Sequence, residues 1–124
     1  MIADPTNHPD WPQIKAFLEP AATRGGVPLL EAHEDVWAVY APDLVGCATT
    51  RCTVDKFGEV ILVGGREHRR WIAQLDDKIC DWMRGAGMTA VRAYGRKGWV
   101  RVLKNWAVIG NSDDATGYER RLDV

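Results

Sequence analysis

Three arginines crowd the start of a predicted helix, where acidic residues are usually preferred. The stretch GGREHRRW follows an apolar run and places Arg66, Arg69 and Arg70 beside the first helical turn. A helix N-terminus already carries about half a positive charge, so each exposed cation there costs roughly 0.3–1 kcal/mol. Two interpretations stay open: the arginines surround a bound anion, or they extend into solvent and pair with acids such as Asp76 and Asp77.

Two further side chains have the chemistry to move a proton. Glu59 opens a predicted strand and could serve as a general base, although a polar residue directly after a turn has a simpler structural explanation. Tyr94 ends another predicted strand and could donate a proton, although an aromatic residue there is usually present for packing. Glu59 and Tyr94 are therefore candidate catalytic residues, and the structural explanation of each stays open as the alternative.

A second basic stretch, YGRKGWVRVLK, lies at residues 94–104. Its four basic residues alternate with two aromatic ones, Tyr94 and Trp99, and are Arg96, Lys97, Arg101 and Lys104. Such a mixture suits nucleic acid, because phosphates bind cations and bases stack on rings. Trp99, however, falls on a predicted apolar stripe, and the sequence pI of about 6.3 is low for a nucleic-acid-binding domain. We therefore expect the four basic residues to bind an acidic surface of another protein rather than nucleic acid.

No metal site is predicted from the sequence. His33, Glu34 and Asp35 are adjacent, so their side chains diverge, and no partner cluster occurs elsewhere. His8 and His68 are isolated. We therefore expect no metal cofactor.

The three cysteines are predicted to be small core residues of a reduced, intracellular protein. Cys47 and Cys52 are five residues apart, so on one strand they point to opposite faces and cannot form a disulfide. Cys80 lies in an apolar context on a predicted helix. The first residues lack the charged and apolar regions of a signal peptide, and no apolar run reaches the roughly 20 residues that span a bilayer.

The length of the chain indicates how many domains it forms, and its charge distribution indicates what kind of ligand it binds. At 124 residues the chain suits one domain with a two-layer core, and we predict a single domain over residues 1–124. Residues 1–62 carry four Lys or Arg and nine Asp or Glu, whereas residues 63–124 carry twelve and eight. The second half therefore presents basic surface, which favours anionic ligands or acidic partners.

Hydrophobic periodicity places the candidate residues on an α+β framework. Helical spacing of apolar residues predicts three helices, at residues 10–20, 71–84 and 99–106, with Pro20 ending or kinking the first. Alternating or wholly apolar runs predict six strands, at residues 36–41, 44–54, 59–63, 89–94, 107–110 and 118–124. The third and fourth strands are joined through a helix and are predicted to be parallel. The first three strands are predicted to form a meander and the last two a hairpin.

This order of elements resembles the GNAT N-acyltransferase fold over about residues 10–124, a mixed, mostly antiparallel twisted sheet flanked by helices. The resemblance is carried by three stretches, LVGCATTRCTVDKFGEVILVGG, REHRRWIAQLDDKICDWMRGAGMTAVRAY and GRKGWVRVLKNWAVIG. The family holds acetyl-CoA between two splayed strands, which match residues 59–63 and 89–94, with the pyrophosphate on backbone N–H groups at the start of the central helix. The resemblance therefore implies a set of cofactor-binding residues: Val63, Gly64, Gly65, Arg66, Arg69 and Arg70.

The same stretch departs from the family's phosphate loop. That loop follows the pattern Gln/Arg-x-x-Gly-x-Gly/Ala, and alignment on Arg66 places Arg69 and Trp71 at the two small positions. Glu67 adds a negative charge beside the implied anion. The tyrosine that many members carry in the last helix has no equivalent, because VLKNW contains none. These departures favour loss of catalysis.

The resemblance leads to two functions of different classes. In the first, the chain is a catalytically degenerate GNAT-like protein that binds another protein. The segment GRKGW at residues 95–99 resembles short GNAT-like proteins of tailed bacteriophages, which implies a virion or accessory component, cytoplasmic or virion-associated. In the alternative, the chain is a small acetyl-CoA-dependent N-acetyltransferase, in which an amine attacks the thioester and a general base removes a proton.

Overall fold

The computed structural model describes residues 1–111 and 115–122 and, of Lys97 and Val100, the backbone alone. These residues form two α-helices, α1 (Trp11–Gly25) and α2 (His68–Gly85), and two short 3₁₀ helices, Pro5–Asn7 and Lys97–Arg101. They also form six strands: β1 (Asp35–Tyr40), β2 (Leu44–Cys52), β3 (Phe57–Gly65), β4 (Ala90–Gly95), β5 (Ala107–Asn111) and β6 (Thr116–Arg121). No helix among the described residues is long and apolar enough to cross a membrane.

The six strands form one mixed sheet in the order β1-β2-β3-β4-β6-β5. β3 and β4, which α2 connects, pair in parallel over Phe57–Val60 and Ala90–Ala93. The pairs β1–β2, β4–β6 and β5–β6 are antiparallel. The predicted α+β class with a mixed, mostly antiparallel sheet is therefore confirmed. The predicted last hairpin extends into residues 112–114 and 123–124, which lie outside the described residues.

α1 continues past Pro20 to Gly25, so the helix does not end at the proline. A proline inside a helix removes one backbone hydrogen bond and costs about 3 kcal/mol or more. Pro20 lies on the exposed side, whereas Ile14, Leu18 and Ala22 form a buried stripe that extends to both sides of it. Burial of this stripe against the sheet offsets the cost of the proline.

The described chain divides into two compact units, residues 1–51 with 61–71 and residues 52–60 with 72–124. In the first unit, α1 covers one face of β1, β2 and β3 with an apolar core of Ile14, Leu18, Ala22, Val36, Leu44, Cys47 and Leu62. Gly46, the neighbour of Cys47, points to the other face and lies under the Trp71 ring at the start of α2. The single domain over residues 1–124 stays a prediction.

In the second unit, α2 packs a buried apolar stripe onto the sheet, made of Ile72, Leu75, Ile79 and Met83. Gly58 of β3 lies directly under Met83. A Cβ on this glycine would lie 2.0 Å from the methionine sulfur, so the close contact excludes a side chain there. α2 begins three residues earlier than the apolar periodicity predicts. Its first turn therefore contains Arg69 and Arg70.

The predicted third helix is wrong, because the structure has only the 3₁₀ helix Lys97–Arg101 there. The N–H of Leu103 donates to the carbonyl of Trp99, and the chain then leaves the turn and enters β5. The helical spacing of the apolar residues has another cause: the Trp99 ring packs on Gly95, while Leu103 and Trp106 are buried from an irregular segment. Tertiary contacts thus produced a pattern that is typical of a helix.

Candidate functional site

The two glycines before α2 are required by packing. A Cβ on Gly64 would lie 2.0 Å from the carbonyl oxygen of Phe17 in α1. Gly65 has φ 134°, and a Cβ there would lie 2.3 Å from the carbonyl oxygen of Val45 in β2. Both positions therefore exclude a side chain because the backbone of another element lies against them. Close packing of β3 thus explains the glycine pair without any ligand.

The backbone groups of Arg66, the first residue after β3, are bonded within the protein. Its N–H donates to the Val45 carbonyl oxygen at 2.7 Å, and its carbonyl oxygen accepts a hydrogen bond of 2.6 Å from the Trp71 indole N–H. A phosphate that bound to this N–H would have to replace the bond to Val45. Arg66 lies two residues before α2, so this bond occupies a donor beside the helix start and not one of the N-terminal N–H groups of α2 itself.

Two of the three arginines turn toward groups of the protein itself. The Arg66 guanidinium lies 3.5 Å from the Leu44 carbonyl oxygen and 5.9 Å from the centre of the Phe17 ring. Arg70 pairs with Glu67 at 3.2 Å, and both side chains are largely exposed. Solvent screens such an exposed pair, so it contributes little to stability. Arg69, the third arginine, is exposed as well.

Trp71 stands at one of the two small positions of the family's loop, and the structure shows how its ring is accommodated. The side chain is only 4% exposed and fills the space above Gly46, where a Cβ would lie 2.2 Å from a ring carbon. His68 flanks it, with the ring centres 5.2 Å apart. A glycine inside a strand indicates the close approach of another group, and Gly46 was the one signal in the sequence for this contact.

The candidate proton-transfer residues lie in the second unit. Glu59 on β3 is half-buried and stands opposite Arg92 of β4 in the parallel register. Arg92 stacks over the Phe57 ring at 4.4 Å and pairs with Glu119 at 2.8 Å. Glu59 and Arg92 are paired, so their side chains lie on the same face of the sheet. Tyr94 is two residues from Arg92 on the same strand and therefore projects from that face as well.

Tyr94 is 63% exposed, and its ring covers Gly117 of β6, where a Cβ would lie 3.1 Å from a ring carbon. It therefore packs, as an aromatic residue at a strand end usually does, while its outer surface stays open to solvent. The catalytic roles of Glu59 and Tyr94 stay predictions, and so do the cofactor-binding roles at Val63, Gly64–Arg66 and Arg69–Arg70.

The basic residues expected to bind a partner surround the 3₁₀ helix Lys97–Arg101. Arg96, Arg101 and Lys104 are exposed, and the side chain of Lys97 lies outside the described residues. The Tyr118 hydroxyl donates to the Arg96 carbonyl oxygen, which holds the start of this segment against β6. The backbone is thus fixed while the described cationic groups stay in solvent.

The cysteines are free thiols in two different environments. Cys47 and Cys80 are fully buried, and burial raises the pKa of both thiols to about 12, so both are unreactive near neutral pH. Cys52 is exposed, and the prediction that it is a core residue is wrong because it lies at the end of β2. Among the described residues, no three His, Cys, Asp or Glu side chains are grouped so that they could hold a metal ion.

Sequence reasoning missed a polar network on the helix side of the second unit. The Asp76 carboxylate is largely buried and accepts hydrogen bonds of 3.0 Å from both the Trp106 indole and Arg120. Arg120 also lies 3.0 Å from Asp77. Because Asp76 and Arg120 are far apart in the sequence, no local pattern could have indicated this pair.

A depression of ≈ 370 Å³ adjoins this network, at the place where β5 begins. Its lining consists of Arg84, Asn105, Ala107, Glu119, Arg120 and Arg121. Three of these six residues are arginines, and only one is acidic. The depression is therefore lined mainly by hydrogen-bond donors.

The comparisons with known proteins give the fold. No family model matches the sequence, and no curated protein matches it. An IAA acetyltransferase from Bacillus cereus superposes with a TM-score of 0.71 at 9% identity, covering 97% of this chain and 96% of that protein. The ribosomal-protein-S18-alanine N-acetyltransferase from Escherichia coli superposes with a TM-score of 0.68 at 9% identity, covering 100% and 93%.

A third structure, the PaiA N-acetyltransferase from Thermoplasma acidophilum in complex with coenzyme A, superposes with a TM-score of 0.61 at 15% identity. The match covers 83% of this chain and 67% of that protein. The three similarities cover 83–100% of this chain, but at identities too low to transfer an activity. The chain therefore has the α+β fold of the GNAT acetyltransferases.

Proposed function

We propose that this chain is a GNAT-fold protein that does not transfer acetyl groups and acts by binding another protein. Its role is that of a virion-associated or accessory component, as the resemblance of residues 95–99 to phage proteins implies. The observation that carries the proposal is the hydrogen bond from the Arg66 N–H to the Val45 carbonyl. This bond occupies a donor at the position where the fold family binds the cofactor's phosphates.

Other groups at the start of α2 support the same conclusion. Glu67 places a carboxylate beside the helix N-terminus and engages Arg70, so negative charge is already present there. Arg69 brings a long side chain to a position where the family has glycine. The residues present therefore do not fit a bound diphosphate.

The proposed binding surface is the basic segment after β4. Residues 89–111 contain five Lys or Arg and no Asp or Glu, and the described cationic side chains of Arg96, Arg101 and Lys104 are exposed. A surface of one charge sign steers and selects a partner of the opposite sign. The partner is therefore a protein with an acidic surface.

The alternative function is a small acetyl-CoA-dependent N-acetyltransferase. It is favoured by the similarity to acetyltransferase structures, one of them in complex with coenzyme A, and by the parallel β3–β4 pair. In that case Glu59 would accept the proton of the acceptor amine and Tyr94 would donate one to the departing group.

Isothermal titration with acetyl-CoA at low salt separates the two functions, with 3′,5′-ADP as competitor. Absence of binding at millimolar acetyl-CoA is the result expected for the interaction protein. Micromolar, one-to-one binding that 3′,5′-ADP weakens would overturn the proposal and justify a screen of amine acceptors.

A further inference from the structure

β5 forms a weakly protected edge of the sheet. It is the last strand in the sheet order, and among the described residues it pairs with β6 on one side. All five residues of Ala107–Asn111 are exposed, and none is charged or proline. Soluble proteins usually protect such an edge with charges, proline, a β-bulge or a covering segment, because its N–H and C=O groups can pair with another strand. Of these, β5 has only an irregularity in register between Val108 and Gly110 among the described residues.

The other edge strand, β1, shows this protection. The Ile2 N–H donates to the Val36 carbonyl oxygen at 2.8 Å, so the N-terminal segment covers part of the strand. β1 begins with the charged Asp35 and ends with Tyr40, whose hydroxyl donates to Asp10 at 2.6 Å. One edge strand of the sheet is thus partly covered by the chain's own residues, and in the part of the chain that the structure describes the other is exposed along its whole length.

The exposed edge of β5 is also apolar. Val108 and Ile109 are 45% and 48% exposed, and they are two of only seven exposed large apolar side chains among the described residues. A Cβ on Gly117 would lie 3.2 Å from the Ile109 side chain and 3.1 Å from the Tyr94 ring, so both side chains lie close against this glycine. A strand added to β5 would cover Ile109 and extend the apolar surface that these side chains begin.

The arginine-lined depression adjoins the start of this edge, since Asn105 and Ala107 are part of its lining. Arg84 is held there by bonds from its Nε to the Leu122 carbonyl oxygen at 3.1 Å and from Nη1 to Asp81 at 2.8 Å. A guanidinium has five N–H donors, so these two bonds leave others for a ligand. Held in place in this way, Arg84 can bind a carboxylate with little loss of side-chain entropy.

We propose that β5 binds an extended segment of a partner protein as an additional strand, and that an acidic side chain of this segment enters the depression lined by Arg84, Arg120 and Arg121. The open edge supplies main-chain hydrogen bonds, and the arginines select an acidic sequence. The inference rests on the proposed function, because it assumes that the ligand is a protein.

Charge favours an acidic segment over a second copy of this chain. The start of β5 is basic, because Arg101 and Lys104 are exposed just before it and three arginines line the adjoining depression with Glu119 as its one acid, so two copies joined there would bring like charges together. An acidic segment instead neutralises this charge. It also gains the main-chain hydrogen bonds that any strand would gain.

The test uses three short peptides with the full chain and follows backbone amide shifts and binding by fluorescence anisotropy. The first alternates valine and threonine with a glutamate at each end, the second has lysine at the ends, and the third keeps glutamate but has proline in the centre. We expect the first to bind at least about tenfold more tightly than the other two and to shift the amides of Val108 and Ile109.

Variants locate the site. Ile109→Asp places a like charge beside the acidic peptide and should abolish binding, whereas Val54→Asp should not, because Val54 is 98% exposed at the turn between β2 and β3. Arg121→Gln should weaken binding of the glutamate peptide by about tenfold and leave the weak binding of the lysine peptide unchanged. Circular dichroism of each variant verifies that it is folded.

Equal affinity for the first two peptides, or no binding of any peptide at millimolar concentration, would overturn the inference. Self-association that Ile109→Asp abolishes would overturn it too, since the occupant of the edge would then be a second copy. The proposed function fails separately, through acetyl-CoA binding. A chain that binds neither acetyl-CoA nor the peptides would retain the proposed function and lose only this surface.

Discussion

The start of α2 and the edge of β5 differ in whether their backbone polar groups are bonded within the protein. At the start of α2, the N–H and carbonyl of Arg66 are both bonded inside the first unit, and Gly64 and Gly65 lie against other backbone segments. On β5, all five residues are exposed, and Gly110 has nothing within 4 Å of the position of a Cβ. A segment rich in glycine and arginine can therefore be structural, while an ordinary hairpin strand presents an edge that pairs on one side only among the described residues.

The largest difference between the two regions is expected for glycine substitutions. Gly64→Ala should destabilise the protein by about 3 kcal/mol or more, because its methyl group would meet the Phe17 carbonyl 2.0 Å away and backbone cannot move aside cheaply. The matched change on β5, Gly110→Ala, should alter the free energy of unfolding by less than about 0.5 kcal/mol. Urea denaturation followed by tryptophan fluorescence measures both. Similar losses at the two positions would contradict the comparison.

The second-largest effect is expected for substitution of Trp71, whose indole contacts the segment before α2. Trp71→Phe should cost roughly 1–3 kcal/mol, because the Arg66 carbonyl oxygen loses its donor and part of the space above Gly46 empties. Thermal unfolding measures the loss. The control is Trp11→Phe, since Trp11 is half-buried in the same unit and its indole makes no hydrogen bond with the described residues. An equal loss in the control would mean that packing alone, without the hydrogen bond, explains the cost at Trp71.

The local patterns of the sequence predicted most of the framework. The strand β2, the stripe from Ile72 to Met83 in α2 and the turn around Lys56 all agree with the structure, because each is decided by residues close together in the chain. The alternation expected for β2 is not observed, since residues 46–50 are all buried. A third helix was predicted in place of the 3₁₀ helix Lys97–Arg101 because Leu103 and Trp106 have helical spacing, although they are buried from an irregular segment and the Trp106 indole donates to the distant Asp76. α1 extends past Pro20 because burial of its apolar stripe outweighs a local preference.

The sites were harder to predict than the framework for the same physical reason. The bond between Arg66 and Val45 joins residues 21 positions apart, and the pair of Asp76 and Arg120 joins residues 44 apart. Neither has a signal in residue spacing. The sequence therefore indicated the arginines at α2 as a site, whereas only the sheet order identifies β5 as an edge.

A smaller effect is expected at Glu67, which has φ 54° in the left-handed region that favours glycine. Glu67→Gly should relieve this conformation and change stability by no more than about 1 kcal/mol, in the stabilising direction, because the lost pair with Arg70 is exposed. Chemical denaturation measures the change. The variant also removes the carboxylate beside the helix N-terminus, so acetyl-CoA binding that appears only in Glu67→Gly would identify this residue as the group that excludes an anion.

The smallest effect is expected for the arginine of the same pair. Arg70→Ala should change the free energy of unfolding by less than about 0.5 kcal/mol, because the Arg70 and Glu67 side chains are 76% and 60% exposed and solvent screens their attraction. Arg69→Ala is the matched control, an exposed arginine in the same helical turn. Urea denaturation at low and high salt measures both variants. A loss of more than about 1.5 kcal/mol in Arg70→Ala alone would mean that this arginine stabilises the start of α2. The two regions would then differ less than the glycines indicate.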